Sequence, residues 1–463
     1  MRITKRQIKE EFLNAEKDLD YCWNVLSLLK TFDKSNAKEA AEGLIHFQEK
    51  LATLILKLNK TRTQLLSEEK ETIKNKVNYN QNKFVARLRL LASYKKGIDS
   101  VVNISKALGD AFAYFFYRHN LELFEEHLSH QRVINSAAGI GEIGEVEFLK
   151  RIKQFEGNFT LYHGITNILR YGDYSFINLS KLQVIQIGEL KTKHISENKL
   201  QFNLTLLQPN KQQNTSALPA QEEKKAKTTR KERQLEDLIG FITSSKQDNL
   251  NDFKIHNKSY FNEIEALYKE AKNNKVHLKK VSDGLAFSLV KFRKSTLFNK
   301  LFVGHTGSLV EKYSATIIKT ATQLLKSDSK ENSIILGQIL YDSDFLHKNT
   351  RGTAPFFWYP LSLELLRKLY FLEANIISVF NPIHLISNLE TLGFAIESKY
   401  IDNSEERLKE KKHLIQNFDL FISYIIHHLL TENFVIDSLE EVLRNKESLK
   451  GKKVILKTHR HVL

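Results

Sequence analysis

Apolar side chains recur at helical spacing over most of the chain and give way to strand-like runs in one stretch near its middle. From Ile8 to Leu29 the apolar positions are Ile8, Phe12, Leu19, Trp23, Val25, Leu26 and Leu29, and further helical runs span Ala37 to Leu58, Glu68 to Leu91 and Lys96 to Tyr117. Short polar joins between these runs predict an antiparallel bundle. The stripe Leu51, Leu54, Ile55, Leu58 reads as bundle core, since it is not sustained over several heptads. From Ser259 onward the helical pattern resumes over Tyr260 to Ala271, Leu285 to Phe302, Ser308 to Leu325, Leu361 to Phe380, Glu405 to Leu430 and Leu439 to Leu449. Asn381-Pro382 is a stop and restart inside it.

The middle stretch is different. Gly172-Asp173-Tyr174-Ser175-Phe176-Ile177 and Val184-Ile185-Gln186-Ile187-Gly188-Glu189-Leu190-Lys191 flank a polar connection and predict a β-hairpin. Alternate side chains of a strand share a face, so Glu189 and Lys191 project together while Leu190 faces the core. Asp173 opens the first strand, where antiparallel pairing can set its carboxylate beside Glu189. Two adjacent carboxylates repel unless a cation lies between them. Mg²⁺, or Mn²⁺ in its place, takes one or two carboxylates together with water and phosphate oxygens. An ammonium two residues along suits activation of water and stabilisation of charge on phosphorus. Asp, fifteen residues, then Glu-x-Lys is the chemistry of phosphodiester hydrolysis.

These residues resemble the active-site signature of the PD-(D/E)xK nuclease superfamily, whose core runs helix, three strands, helix, strand. Gly144-Glu145-Val146-Glu147-Phe148-Leu149 opens an upstream helix, and Phe159-Thr160-Leu161-Tyr162-His163 reads as the first strand. By that resemblance Glu145 matches the helix glutamate, a catalytic residue that supports the metal's ligands or binds a second metal ion, and Asp173, Glu189 and Lys191 match the metal ligands and the catalytic lysine. Gly172 stands where the family's name has proline. A further strand, Leu200 to Leu207, and a polar tract at 208–229 precede the next helix, so the tract reads as an insertion and a candidate mobile loop. On that helix Arg233-Gln234 look like the basic and glutamine residues that some branches carry near the scissile phosphate. Arg233, Gln234, Arg170 and Lys193 are the candidate nucleic-acid contacts.

Charge agrees with a polyanionic partner. Seventy Lys+Arg against fifty-four Asp+Glu give a net +16 in 463 residues. The excess is concentrated at 51–100, with eleven basic and four acidic side chains, and at 251–300, with eleven against five. The single cysteine, Cys22, supports neither a disulfide nor a cysteine zinc site. The first residues lead into a charged helix without the apolar core of a signal peptide, and no apolar run reaches the roughly 18 residues of a membrane span. A cytoplasmic protein with no membrane partner is expected.

Gly139-Ile140-Gly141-Glu142-Ile143-Gly144 satisfies G-x-G-x-x-G, but Val133-Ile134-Asn135 is too short and polar for the strand a dinucleotide site needs. The glycines read instead as a tight turn into the helix bearing Glu145. Ala111 to Tyr117, strongly aromatic, reads as a packing surface, and His163 as a loop histidine near the site. Pro355-Phe356-Phe357-Trp358-Tyr359-Pro360 reads as a loop anchored on the core, and His427-His428 point to different helix faces.

The expectation is an α+β protein: an N-terminal helical bundle over 1–130, a restriction-endonuclease-like αβββαβ core over 131–265, and an all-α C-terminal domain over 266–463. The expected activity is that of a Mg²⁺-dependent endonuclease acting on nucleic acid, with DNA favoured over RNA, as a homodimer or with a partner subunit. A role in restriction or antiviral defence rests on analogy. The alternative is a catalytically inactive nucleic-acid-binding or scaffolding subunit of a defence or repair complex.

Overall fold

The computed structural model describes residues 2–31, 37–129, 140–152, 154–196, 199–207, 236–241, 259–271, 275–302, 306–325, 334–339, 354–396, 413–415 and 418–444. The fold is mixed α+β, mostly helical, and among the described residues it holds two antiparallel sheets and a short parallel pair, Phe394–Ile396 with His413–Ile415. Residues 1–250 with 296–298 form one compact unit, and the remainder forms a second.

The first unit begins with three long helices, α1 (Lys5–Lys30), α2 (Ala37–Lys74) and α3 (Gln81–Tyr117). Thr4 starts α1 with a capping box: its side chain accepts from Gln7 N while the Gln7 side chain accepts from Thr4 N. The joins expected after Leu58 and Leu91 are helical, and the reversal falls at 75–80 instead. Residues 59–67 include no Gly or Pro and bury Leu65, and Thr61 and Thr63 turn their hydroxyls back to the carbonyls of Lys57 and Asn59. The asparagines do break the helix, and Asn80 caps α3 by accepting from Asn82 N. Buried Arg87 pairs with Glu68 across α2 and α3, and the two also hold the backbone of Ile3.

After α4 (Leu121–Ser129) and α5 (Ile140–Arg151) the chain forms an antiparallel meander. Its strands are β1 (Gln154–Phe155), β2 (Asn158–Tyr162), β3 (Tyr174–Asn178), β4 (Gln183–Ser196) and β5 (Lys199–Leu207), in spatial order β1-β2-β3-β4-β5. The predicted hairpin is β3–β4. The open part of the β2 edge is closed by one side chain, for Gln48 of α2 donates to Thr160 O at 2.7 Å and accepts from Tyr162 N at 2.9 Å. The aromatic end of α3 packs on the sheet: Phe116 stacks on Phe159 with centroids 4.9 Å apart, and Phe112 stacks on Phe47 of α2 at 4.3 Å. Residues 236–241 are helical, and Phe241 joins this cluster against Phe115 and Phe116. The tract 208–229, Arg233 and Gln234 lie outside the described residues.

The second unit corrects the all-α expectation for the C-terminal region. It contains a four-stranded antiparallel sheet, β6 (Val276–Lys280), β7 (Leu285–Lys291), β8 (Ile335–Ile339) and β9 (Ala374–Phe380), in spatial order β6-β7-β9-β8. Two misread stretches, Leu285 to Phe302 and Leu361 to Phe380, hold a strand and a helix side by side, and a third, Glu405 to Leu430, holds the strand His413–Ile415, paired parallel with Phe394–Ile396, ahead of its helix. β9 is buried along its whole length and β7 along nearly all of it, so each reads as a continuous apolar run that periodicity does not separate from a buried helix. The Leu363–Tyr370 helix is capped at Phe371, and Leu372, with φ of +56°, then turns the chain before β9. The helix Thr306–Leu324 covers one face, with Ile317 and Ala321 against Ala286, Val290, Ile377 and Val379. The helix Asp419–His428 covers the other, where Ser378 donates to Ile426 O. The aromatic segment after Pro355 is buried, and His428 and His427 face different partners, Tyr359 and Gln338 O. Among the described residues no helix is long and apolar enough to cross a membrane.

Candidate active site

The site is built where β3 begins. Gly172 has φ +69°, and a Cβ there would overlap Ile187 Cγ2 and stand 3.0 Å from Gly188 O. Proline, fixed near −65°, cannot hold this position, so the glycine before Asp173 sets a backbone route of its own. Asp173, 5% exposed, then donates its N–H to Gly188 O at 2.8 Å and gives its carbonyl to His163 N at 2.9 Å. Its Oδ2 accepts the N–H of Leu190 at 2.8 Å, so a side-chain oxygen continues the β3–β4 ladder past the end of β3.

Tyr174 and Gly188 form the last rung between β3 and β4, and Asp173 and Glu189 are the residues next to it on either strand. Glu189 and Lys191 are exposed on one face of β4, while Leu190 between them is 6% exposed and faces α5. Lys193 is exposed on the same face as Lys191. Arg170, half-buried, donates Nε to Asn167 O at 3.0 Å three residues before Asp173. The structure thus sets Glu189, Lys191 and Lys193 on one exposed face of β4, while buried Asp173 meets β4 at the backbone N–H of Leu190.

Glu145 stands apart. Its Oε2 accepts from the Tyr162 hydroxyl at 2.8 Å, and its carbonyl accepts from the Tyr174 hydroxyl. Tyr162, Tyr174 and Gly188 lie on one face of the sheet, the one opposite Glu189 and Lys191. Burial, reinforced by the Glu145 charge, pushes both phenols well above their ordinary pKa and keeps them as donors. The glycines expected to form a tight turn into α5 lie within it at Gly141 and Gly144, while Gly139 is outside the described residues. Gly144 lies inside α5, where a Cβ would overlap the side chain of Thr192, so it permits close helix–strand approach.

A buried chain of hydrogen bonds beneath Asp173 escaped sequence reasoning. His163 Nδ1 bonds Gly172 O at 3.1 Å, and Tyr171 N donates to His127 Nδ1 at 3.1 Å. For neutral rings those two backbone bonds fix both tautomers: His163 carries its proton on Nδ1, and His127 on Nε2. The run is then one-directional, from His127 Nε2–H to the Tyr117 hydroxyl at 2.8 Å, on to Ser175 Oγ, and from there to His163 Nε2 at 2.6 Å. All four residues are buried, and burial pushes the Tyr117 phenol far up. Asp110, buried in α3, accepts from Asn167 N at 2.7 Å and from Ile168 N at 3.2 Å, anchoring the loop that leads to Asp173. The available signals were polar residues at core positions: Ser175 in an apolar strand and Asp110 in an aromatic helix.

Tyr117→Phe should cost about 1–3 kcal/mol, because it strands the His127 Nε2–H and removes the donor to Ser175 in a dry interior. Urea unfolding of the variant against the intact protein measures it, and an unchanged midpoint would remove the chain from the account of this loop.

Asp173 before β3 and Glu189 within β4 are the carboxylates that would hold a divalent cation, which keeps its remaining positions for water and phosphate oxygens. Among the described residues no group of three or more His, Cys, Asp or Glu is placed to hold a metal ion. No family model, curated protein or solved structure matches the chain.

Proposed function

We propose that the chain is a metal-dependent nuclease of the PD-(D/E)xK type that hydrolyses phosphodiester bonds of nucleic acid, with DNA as the favoured substrate. What supports this reading is that Asp173 and Glu189 adjoin the last β3–β4 rung, with Lys191 on the same face of β4 as Glu189. Helix α5 followed, past the two-residue β1, by β2, β3 and β4 resembles the order that such a core begins with. Asp173 and Glu189 are the ligands for Mg²⁺ or Mn²⁺, an ion that neutralises charge on the phosphate when bound. Lys191 orients the attacking water and faces the charge that builds as its oxygen bonds to phosphorus and the ester P–O bond breaks. Glu145, across the sheet, sets the position of β2 and β3 through the two tyrosines.

The test is cleavage of plasmid DNA, single-stranded DNA and RNA with Mg²⁺ or Mn²⁺, for intact protein, Glu189→Ala and Lys191→Ala. Both variants should lose about 100- to 1,000-fold in rate with unchanged melting, since both side chains are exposed, and EDTA should abolish the activity. Variants as active as the intact protein would sink the proposal.

A second reading has its own support. Asp173 already has Oδ2 committed to Leu190 N, and Glu145 is engaged on the far face, as in a sheet that binds nucleic acid without cutting it. Binding without cleavage in any metal, unaffected by the Glu189 substitution, is its signature.

A further inference from the structure

β4 outruns its inner neighbour. β3 pairs with it only over 183–188, whereas β5 pairs from Ile187 to Ser196, so beyond Gly188 the two strands form a ribbon. One face of this ribbon carries Leu190, Thr192, Phe202 and Leu204, and α5 packs there through Gly144 and Phe148, whose ring lies 5.8 Å from Phe202. The other face has three rungs, Glu189 opposite Thr205, Lys191 opposite Asn203 and Lys193 opposite Gln201, and all six side chains are exposed.

The geometry points to this face as a docking surface for B-form duplex DNA, seated in the major groove. The inference rests on the nucleic-acid reading of the Glu189–Lys191 site and names which nucleic acid it takes and by which groove. Two strands about 4.8 Å apart, with their side chains, fit a groove about 12 Å wide. From Glu189 to Lys193 the ribbon runs about 13 Å, close to four base-pair steps of about 3.4 Å. Lys191 and Lys193 outnumber Glu189 and leave this face net positive toward phosphate, in a chain of net +16. Asn203 and Gln201 carry the paired donor and acceptor that match adenine N7 and N6.

Two competitors are disfavoured by the same residues. Single strands are held by stacking bases on aromatic rings. None of the six side chains is aromatic, and the ribbon's Phe202 faces α5. Duplex RNA presents a major groove too deep and narrow for side chains to read.

The experiment is fluorescence anisotropy in EDTA with the full chain, on duplex DNA, duplex RNA and single-stranded DNA of one adenine-bearing sequence. The intact protein should prefer duplex DNA. Gln201→Ala and Asn203→Ala should each weaken that binding about tenfold, and Lys193→Ala should lower the slope of log affinity on log salt by about 0.9. Replacing adenine by 7-deazaadenine, which lacks the N7 acceptor, should weaken the intact protein but not the Gln201→Ala, Asn203→Ala double variant. Circular dichroism melts should be unchanged, because the substituted residues are exposed.

Equal binding by the alanine variants, insensitivity to 7-deazaadenine, a preference for RNA or single strands, or no binding at all would each overturn the inference. Cleavage does not enter this measurement. Loss of the nuclease reading through an active Glu189→Ala enzyme leaves the ribbon result standing, and a failed ribbon leaves the cleavage test intact.

Discussion

Asp173→Asn is expected to lose cleavage about 100- to 1,000-fold while melting close to the intact protein, and Asp173→Ala to lose both cleavage and about 1–3 kcal/mol of stability. The split follows from the two tasks of one side chain. Oδ2 takes the N–H of Leu190 inside the sheet, at a residue only 5% exposed. An asparagine amide oxygen can accept the same bond, so the ladder past the end of β3 survives. What asparagine lacks is the negative charge that a divalent cation requires of its ligand. Alanine removes acceptor and charge together, leaving a buried N–H without a partner. Urea unfolding followed beside the cleavage rate separates the tasks. An Asp173→Asn variant that cuts at the normal rate would show that the carboxylate is structural alone and would favour the non-cutting reading of the sheet.

The same residue shows how far the sequence reaches. The hairpin, its register class and the shared face of Glu189 and Lys191 were legible because strand alternation is a local property, and Asp173 was legible as a carboxylate at a strand start. Its bond to Leu190 was not, since it depends on Gly172 entering the left-handed region, which the amino-acid pattern permits but does not require. Glu145 is the instructive contrast. Its place on the helix before β2 was readable, but the face of the sheet on which α5 lies is set by contacts such as Gly144 on Thr192 and Phe148 on Tyr174. Those contacts join residues tens of positions apart. In the second unit the failure had another cause. Leu285 to Lys291 and Ala374 to Phe380 are buried on both faces, so the alternation that betrays a strand is absent and length alone suggested helices. Ile376, Ile377 and Val379, β-branched and clustered, were the one available local sign.

Gly109→Ala should destabilise the first unit by about 3 kcal/mol, opposite in sign to what helix propensity predicts. In an open helix this change gains up to about 1 kcal/mol, because glycine carries the larger backbone entropy. Gly109 lies inside α3 with a Cβ position that overlaps the carbonyl oxygen of Ile165. The obstacle is backbone on both sides, so no rotamer change relieves it, and the cost belongs at the upper end of the range for overpacked interiors, about 1–3 kcal/mol. Gly141→Ala in α5 is the control: it is exposed, with only Glu145 Oε1 at 4.0 Å near its Cβ, and should be neutral or slightly stabilising. Denaturant midpoints of the two variants decide between propensity and packing. The effect should also reach the site, because the loop from His163 to Gly172 is held to α3 by that close approach and by Asp110, which holds Asn167 N and Ile168 N. Pushing the loop off α3 moves the chain that delivers Asp173 to Leu190. Gly109→Ala is therefore expected to lower cleavage as well, from a position that touches no substrate. Full stability together with full activity would mean that α3 does not position this loop.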